Sequence, residues 1–152
     1  MSQPNNAPQV DAGYNGYAGY IHRVRYSEVD PQSIVFNSRY LEFFDAAMTE
    51  FYRQHGYPPN GFVGSDYDPV VVKVEVNYVS SARLDDVLHI PVWCSRMGNS
   101  SLDLSFEIRR EPDQELIATA TITYVNIDQV KRTSIPIPDH VRTALSKSKE
   151  TN

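Results

Sequence analysis

The chain has 152 residues, 41% of them hydrophobic, and its 14 Lys+Arg against 19 Asp+Glu leave a net charge of −5. That length supports one domain around one core, and the negative balance excludes an overall basic field that would recruit nucleic acid or an anionic membrane surface. The single cysteine, Cys94, excludes an internal disulfide and a cysteine-based zinc site and suits a reducing compartment. With no signal-like leader and no 18-residue apolar run, the expected location is the cytoplasm, with no membrane partner.

Residues 1–19 are rich in Asn, Gln, Gly, Ala and Pro, with an echo at Gly13-Tyr14, Gly16-Tyr17 and Gly19-Tyr20. Such a composition buries too little apolar area to offset chain ordering, so it reads as a flexible arm. From Tyr20 to Tyr26 the side chains alternate with the period of a strand. That strand leads into Asp30-Pro31-Gln32-Ser33. From Arg39, apolar residues at Tyr40, Leu41, Phe43, Phe44, Ala47, Met48, Phe51 and Tyr52 have the spacing of a helix with one wide buried stripe. A helix over 39–55 follows, with Ser38 or Asn37 able to cap its start and Gly56 before Pro58 and Pro59 to stop it.

Tyr57 to Pro69 is a long Pro- and Gly-containing loop, of the kind that often forms a functional rim. From Val70 to Tyr78 the even positions share one face and Lys73, Glu75 and Asn77 the other, as in a sheet with one buried side. Val87–Met97 is extended, Met97-Gly98-Asn99-Ser100 turns the chain, and Leu102, Leu104, Phe106 and Ile108 form the apolar face of the next strand. After the turn cluster Glu111-Pro112-Asp113-Gln114, residues 116–127 alternate again. Pro136 to Ser146 can form a short surface helix capped near Asp139, and residues 147–152 are a tail. The order is one strand, one long helix and four further strands. It predicts an α+β fold in which an antiparallel sheet of about five strands curls around a central helix, in a single domain over 20–146.

The chemistry concentrates ahead of the helix. Asp30 is too far upstream to be the cap, yet a turn can fold it back toward the free N–H groups of the first helical turn, which stabilise anions, including the oxyanion of an acyl transfer. Asp-Pro is equally an ordinary way to begin a turn. The run Asp30-Pro31-Gln32-Ser33-Ile34-Val35-Phe36-Asn37-Ser38-Arg39-Tyr40-Leu41-Glu42-Phe43-Phe44 resembles the signature of hotdog-fold acyl-CoA thioesterases of the 4-hydroxybenzoyl-CoA thioesterase type. That signature is an Asp, a short Gly-containing turn, two apolar residues, a polar or aromatic residue opening the helix, and a Tyr one turn later. The similarity spans about residues 20–140 and is sharp from Asp30 to Tyr40. Two positions depart from the pattern: Ser33 stands where the family usually has Gly, and Asn37 where members carry His, Tyr or Asn.

The resemblance implies the hotdog fold and hydrolysis of an acyl-CoA thioester to a free acid and CoA. Asp30 would be general base toward water, or nucleophile forming a mixed anhydride, and the Asn37 N–H would polarise the thioester carbonyl. Val35, Phe36 and Tyr40 would border the substrate. Ser100 and Ser101 fall where the family often places hydroxyl residues near the cleft. Arg83, Arg96, Lys131 and Arg132 are the local candidates for CoA phosphates, each also readable as a solvated surface charge. Phe36, Tyr40, Phe43, Phe44 and Gly61-Phe62-Val63 supply apolar wall for a fatty or aromatic acyl group. No cofactor is implied, CoA being part of the substrate, and the family precedent is a homodimer or homotetramer with sites between protomers. Two alternatives stay open: a non-catalytic acyl-CoA-binding or regulatory module, and a hotdog dehydratase, which needs a His near the helix start.

Other signatures are missing. His22, His55, His89 and His140 show no ligand spacing, so no metal is expected, and neither a Gly-x-Ser-x-Gly elbow nor a phosphate loop occurs. Cys94 reads as a small core residue and Trp93 as packing on the opposite face of the same strand.

Overall fold

The fold is taken from a computed structural model, which describes residues 19–57, 62 and 65–146. Residues 1–18 of the arm expected over 1–19, the tail 147–152, and Gly61 and Val63 lie outside the described residues. The elements run β1 (Gly19–Arg23), a 3₁₀ turn (Tyr26–Glu28), α1 (Arg39–Gln54), β2 (Pro69–Tyr78), β3 (Val87–Met97), β4 (Ser101–Arg110), β5 (Glu115–Asp128), β6 (Thr133–Ser134) and α2 (Asp139–Ser146). The sheet is antiparallel throughout, in the order β1-β3-β4-β5-β2, with β6 pairing the end of β5. Both β1 and β2 are therefore edges.

One face of this sheet holds α1. The helix lies on β1 and β3, and Phe44, fully buried, meets Phe106 of β4 at a ring separation of 5.2 Å. Leu102, Leu104, Phe106 and Ile108 are all buried on β4, as the alternation requires. Cys94 is buried within β3, and Trp93 beside it is half-buried. The helix ends where Gly56 takes φ 91°, a left-handed conformation that costs Gly little, while the His55 N–H reaches back to the Phe51 and Tyr52 carbonyls. At its start Ser38 occupies the cap position, but its side chain makes no capping hydrogen bond, contrary to the expectation for Ser38 or Asn37. Helix α2 packs Val141 and Leu145 inward, and the Arg142 guanidinium donates to the Gly98 and Asn99 carbonyls at 2.7 Å each.

Three sequence expectations give way. The first strand stops at Arg23 rather than Tyr26, because the buried Glu28 carboxylate accepts from the Arg25 N–H at 2.7 Å and bonds the His22 Nε2 at 2.8 Å. These bonds wind the chain into the 3₁₀ turn. Gly19, expected in the arm, belongs to β1, where a Cβ would meet the Ile90 carbonyl oxygen at 2.8 Å. Strand β2 alternates in sequence but is not buried on one side: Val71, Val72, Val74 and Tyr78 are 54%, 57%, 43% and 53% exposed. A bulge between Val71 and Lys73 breaks the alternation, and α1, seated over β1 and β3, leaves this edge uncovered.

The loop between the 3₁₀ turn and α1 is a miniature hairpin. Asp30 N–H donates to Ile34 O, Ser33 N–H to Asp30 O, and Phe36 N–H to Glu28 O, all at 2.9 Å, with a bridge between Val29 and Val35. Its tip needs Ser33 at φ 64°, the left-handed conformation that a glycine at this position would take freely. Ser33→Gly should therefore keep or raise stability, by up to about 1 kcal/mol once the looser unfolded chain is subtracted. Ser33→Val should cost about 1–2 kcal/mol, because a β-branched residue resists that conformation. Urea midpoints of the two variants check the sign, and a Ser33→Val midpoint equal to the parent's would contradict it.

Candidate active site

The hairpin delivers its residues to one place. Asp30, Gln32, Ile34, Val35 and Asn37 line a cavity of about 190 Å³ together with Tyr40 of α1, Tyr78 of β2, and Ser80 and Ser81 just beyond it. Asp30, Val35, Asn37 and Tyr40 thus come together as the sequence suggested, whereas Tyr78, Ser80 and Ser81 carry no motif that would have flagged them. In sequence Tyr78 was only one more residue on the alternating apolar face of residues 70–78.

Asp30 is half-buried, and its two oxygens stand differently. Oδ1 accepts the Gln32 N–H at 2.8 Å, closing a side-chain turn two residues long. The carboxylate is thus a turn former through one oxygen, and it lines the pocket as well. Its hydrogen bond goes to Gln32, and it shares the cavity with Asn37, whose N–H is among those that open the helix. Those N–H groups stay available: among the described residues, neither the Asn37 nor the Ser38 N–H donates to a protein acceptor. They open a helix whose dipole favours negative charge at this end.

Behind the pocket, the backbone of buried Ala82 ties the parts together. Its carbonyl accepts the Val35 N–H at 2.9 Å and its N–H donates to the Tyr40 hydroxyl at 3.4 Å. Tyr40 is 3% exposed, and burial raises its hydroxyl pKa, so it stays protonated at neutral pH. Its ring meets Phe43 and Tyr78 edge-on at 5.7 and 5.3 Å. Ser80 is spent on the scaffold, its hydroxyl donating to Leu116 O at 3.0 Å.

The remaining sequence candidates stand elsewhere. Phe36 is 45% exposed beside the pocket without lining it. Phe43 and Phe44 are core, and Phe62 packs on Tyr52 and Tyr67 at ring separations of 5.0 and 5.4 Å, near the far end of α1. The apolar wall expected from those three is therefore absent from this cavity. Arg96 pairs with Asp103 through two bonds of 2.9 and 3.1 Å and donates to the Ser101 Oγ at 3.0 Å. The guanidinium holds the Asp103 carboxyl below the usual carboxylate range. Lys131 and Arg132 sit exposed in the turn closed by Asp128, and the Arg83 N–H donates to Asp86 Oδ2 at 2.9 Å.

Register fixes how far apart these groups are. Tyr78 pairs Ala118 of β5, while Ser101 pairs Val125 of the same strand. At strand rise that is roughly 23 Å. Within one chain, Ser100, Ser101, Arg96, Lys131 and Arg132 cannot reach a small molecule's reacting carbon held at Asp30.

Comparison with known proteins follows the same lines. The chain is 29% identical over 119 residues to the acyl-CoA thioester hydrolase YbgC of Escherichia coli, spanning 78% of this chain and 88% of that protein. It is 29% identical over 125 residues to the long-chain acyl-CoA thioesterase FadM of the same species, covering 82% and 94%. In fold it is similar to a Staphylococcus aureus protein solved in complex with CoA, with a TM-score of 0.81, 19% identity, and coverage of 88% and 84%. The sheet and helix match the hotdog arrangement of such thioesterases. The model of the thioesterase-like superfamily matches residues 24–145, and the chain belongs to that superfamily.

Proposed function

We propose that the protein hydrolyses acyl-CoA thioesters at the Asp30 pocket. The observation that carries this reading is the meeting, in one cavity, of a half-buried carboxylate and a helix start whose first N–H groups have no protein acceptor among the described residues. The thioester carbonyl oxygen docks on the Asn37 N–H, which gains strength as negative charge develops there. Along one route Asp30 takes a proton from water, the water oxygen adds to the carbonyl carbon, and the C–S bond breaks as the CoA sulfur leaves and takes up a proton. Along the other, an Asp30 oxygen adds first, CoA leaves, and water cleaves the resulting anhydride. Val35 and Tyr40 border the acyl carbon, and the relatives' names support an acyl-CoA substrate.

A second copy of the chain completes the site in this reading. A cavity of about 190 Å³ is small against the roughly 300–1,000 Å³ of sites that bury small molecules. Beside it runs β2, an unpaired edge with exposed Val71, Val72, Val74 and Tyr78. Two-fold antiparallel pairing of β2 with its copy sets the Pro69 end of one strand against the Tyr78 end of the other. The Pro69 end is where β5 carries Asn126, whose N–H donates to Ser100 O at 2.8 Å. Dimerisation would thus bring Ser100, Ser101, Lys131 and Arg132 of the second copy toward the pocket, the last two as candidates for CoA phosphates.

Two measurements test these statements. Asp30→Asn keeps the turn bond to Gln32 but removes the charge, so kcat on an acyl-CoA panel should fall at least ~10²-fold with the fold intact. Turnover within about threefold of the parent would return Asp30 to the role of turn former, and a parent that binds acyl-CoA without turnover would favour the non-catalytic module. For the dimer, the parent should scatter light at about twice 17.3 kDa at micromolar concentration. The double variant Val72→Lys, Val74→Lys should be monomeric and at least ~10-fold slower, because both side chains are exposed in the single chain and charge blocks edge pairing. An unchanged dimer would place the interface elsewhere.

A further inference from the structure

Residue 37 is held from both sides. The Phe36 carbonyl accepts the Arg39 N–H at 2.9 Å, which sets the peptide group that carries the Asn37 N–H. The Asn37 carbonyl accepts the Tyr78 hydroxyl at 3.1 Å, which sets the next peptide group, the one that carries the Ser38 N–H. Because a peptide group is planar and trans, fixing its oxygen aims its N–H the opposite way. The first bond is local to the helix start, while the second arrives from the end of an edge strand 41 positions away in sequence.

The hydroxyl is well placed to keep that bond. Its ring rests edge-on against Tyr40 at 5.3 Å, and Tyr40 is itself buried and bonded to the Ala82 N–H. Tyr78 gains little from burial, being 53% exposed, so the core does not explain where its hydroxyl points. A bond to a peptide oxygen also polarises the group and makes its N–H a stronger donor.

We propose that Tyr78 is a positioning residue for thioester hydrolysis: by holding the Asn37 carbonyl, its hydroxyl fixes the peptide group that carries the Ser38 N–H, so that this donor stands beside the Asn37 N–H and both meet the substrate oxygen. This rests on the reading of the Asp30 pocket given above and adds a residue that acts through Asn37. It also links the site to β2, since the tyrosine stands on the strand edge that a second copy would cover.

Tyr78→Phe keeps the ring contact with Tyr40 and removes only the bond. Donors left free to drift by even a fraction of an ångström lose transition-state stabilisation, so kcat should fall about tenfold with KM within about threefold of the parent. Scattering mass and thermal midpoint should match the parent's. In ¹H–¹⁵N spectra of the free protein, the Asn37 and Ser38 amides should move, while amides of α2 should not. A rise in KM at unchanged kcat would make Tyr78 a substrate contact instead and overturn the proposal, and so would unmoved Asn37 and Ser38 amides, a readout independent of turnover. Asp30→Asn measured alongside separates the two readings. If it is inactive while Tyr78→Phe turns over like the parent, only the positioning role falls. If Asp30→Asn itself keeps parental turnover, the pocket assignment falls instead.

Discussion

Everything at the pocket depends on the backbone bonds that fold residues 28–36 into a hairpin and tie it to Ala82. A carboxylate and a helix start are separate pieces of chain, and no side-chain contact between them holds them in register. The ladder of Phe36 to Glu28 and Asp30 to Ile34, with Val35 tied to Ala82, makes them one rigid unit. Beneath it, Glu28 is anchored to His22 of β1, and the His22 ring meets Phe43 of α1 at a tilt, 4.4 Å between centroids. Strand, loop and helix therefore meet at a buried polar pair that burial alone would not favour, since desolvating such a pair costs about as much as its attraction returns. Its contribution is registry: it specifies where the hairpin leaves β1, and so where Asp30 stands relative to α1.

The same geometry explains where the cavity lies. Helix α1 covers the β1-β3-β4 part of the sheet, which builds a full core there, but the pocket forms at the far margin, between the helix start and β2. A pocket at a margin needs a wall from outside. The valines of β2 are exposed at levels unusual for such residues, and Ser101, Lys131 and Arg132 stand toward the opposite end of β5, roughly 23 Å from Tyr78. In the proposed dimer, two-fold pairing of β2 with its copy would answer both at once.

Much of the fold was legible because its signals are periodic. The helix over 39–54, the buried face of β4, the stop at Gly56 and the short C-terminal helix all follow from spacing and caps. The failures have physical causes. Alternation in β2 looks the same whether its apolar face meets a helix or a second molecule, so sequence could not tell edge from interior. The end of β1 was displaced by Glu28, whose bonds to His22 and the Arg25 N–H are tertiary and leave no trace in periodicity. At the site, Asp30, Val35, Asn37 and Tyr40 were legible because they lie in one short run of sequence, the one that carries the family resemblance. Tyr78, Ser80 and Ser81 were missed because they arrive from a strand end that only the register of β2 on β5 brings near.

The divided use of Asp30 bears on how this site can coexist with a stable loop. A carboxylate reserved for chemistry would leave the hairpin tip without its side-chain turn, and one reserved for the turn would leave the pocket without a base. With Oδ1 accepting from Gln32, the carboxylate is held by a bond whose energy does not depend on substrate, and its remaining lone pairs are the ones the proposed base or nucleophile role would use. Ser33 accepts a left-handed backbone to make that turn possible, at a cost of about 1–2 kcal/mol for a residue with a Cβ. The strain sits three residues from the carboxylate and is offset by the ladder around it, which is where backbone strain persists: in a segment over-determined by its surroundings. Orientation of the Asp30 carboxylate is thus settled during folding.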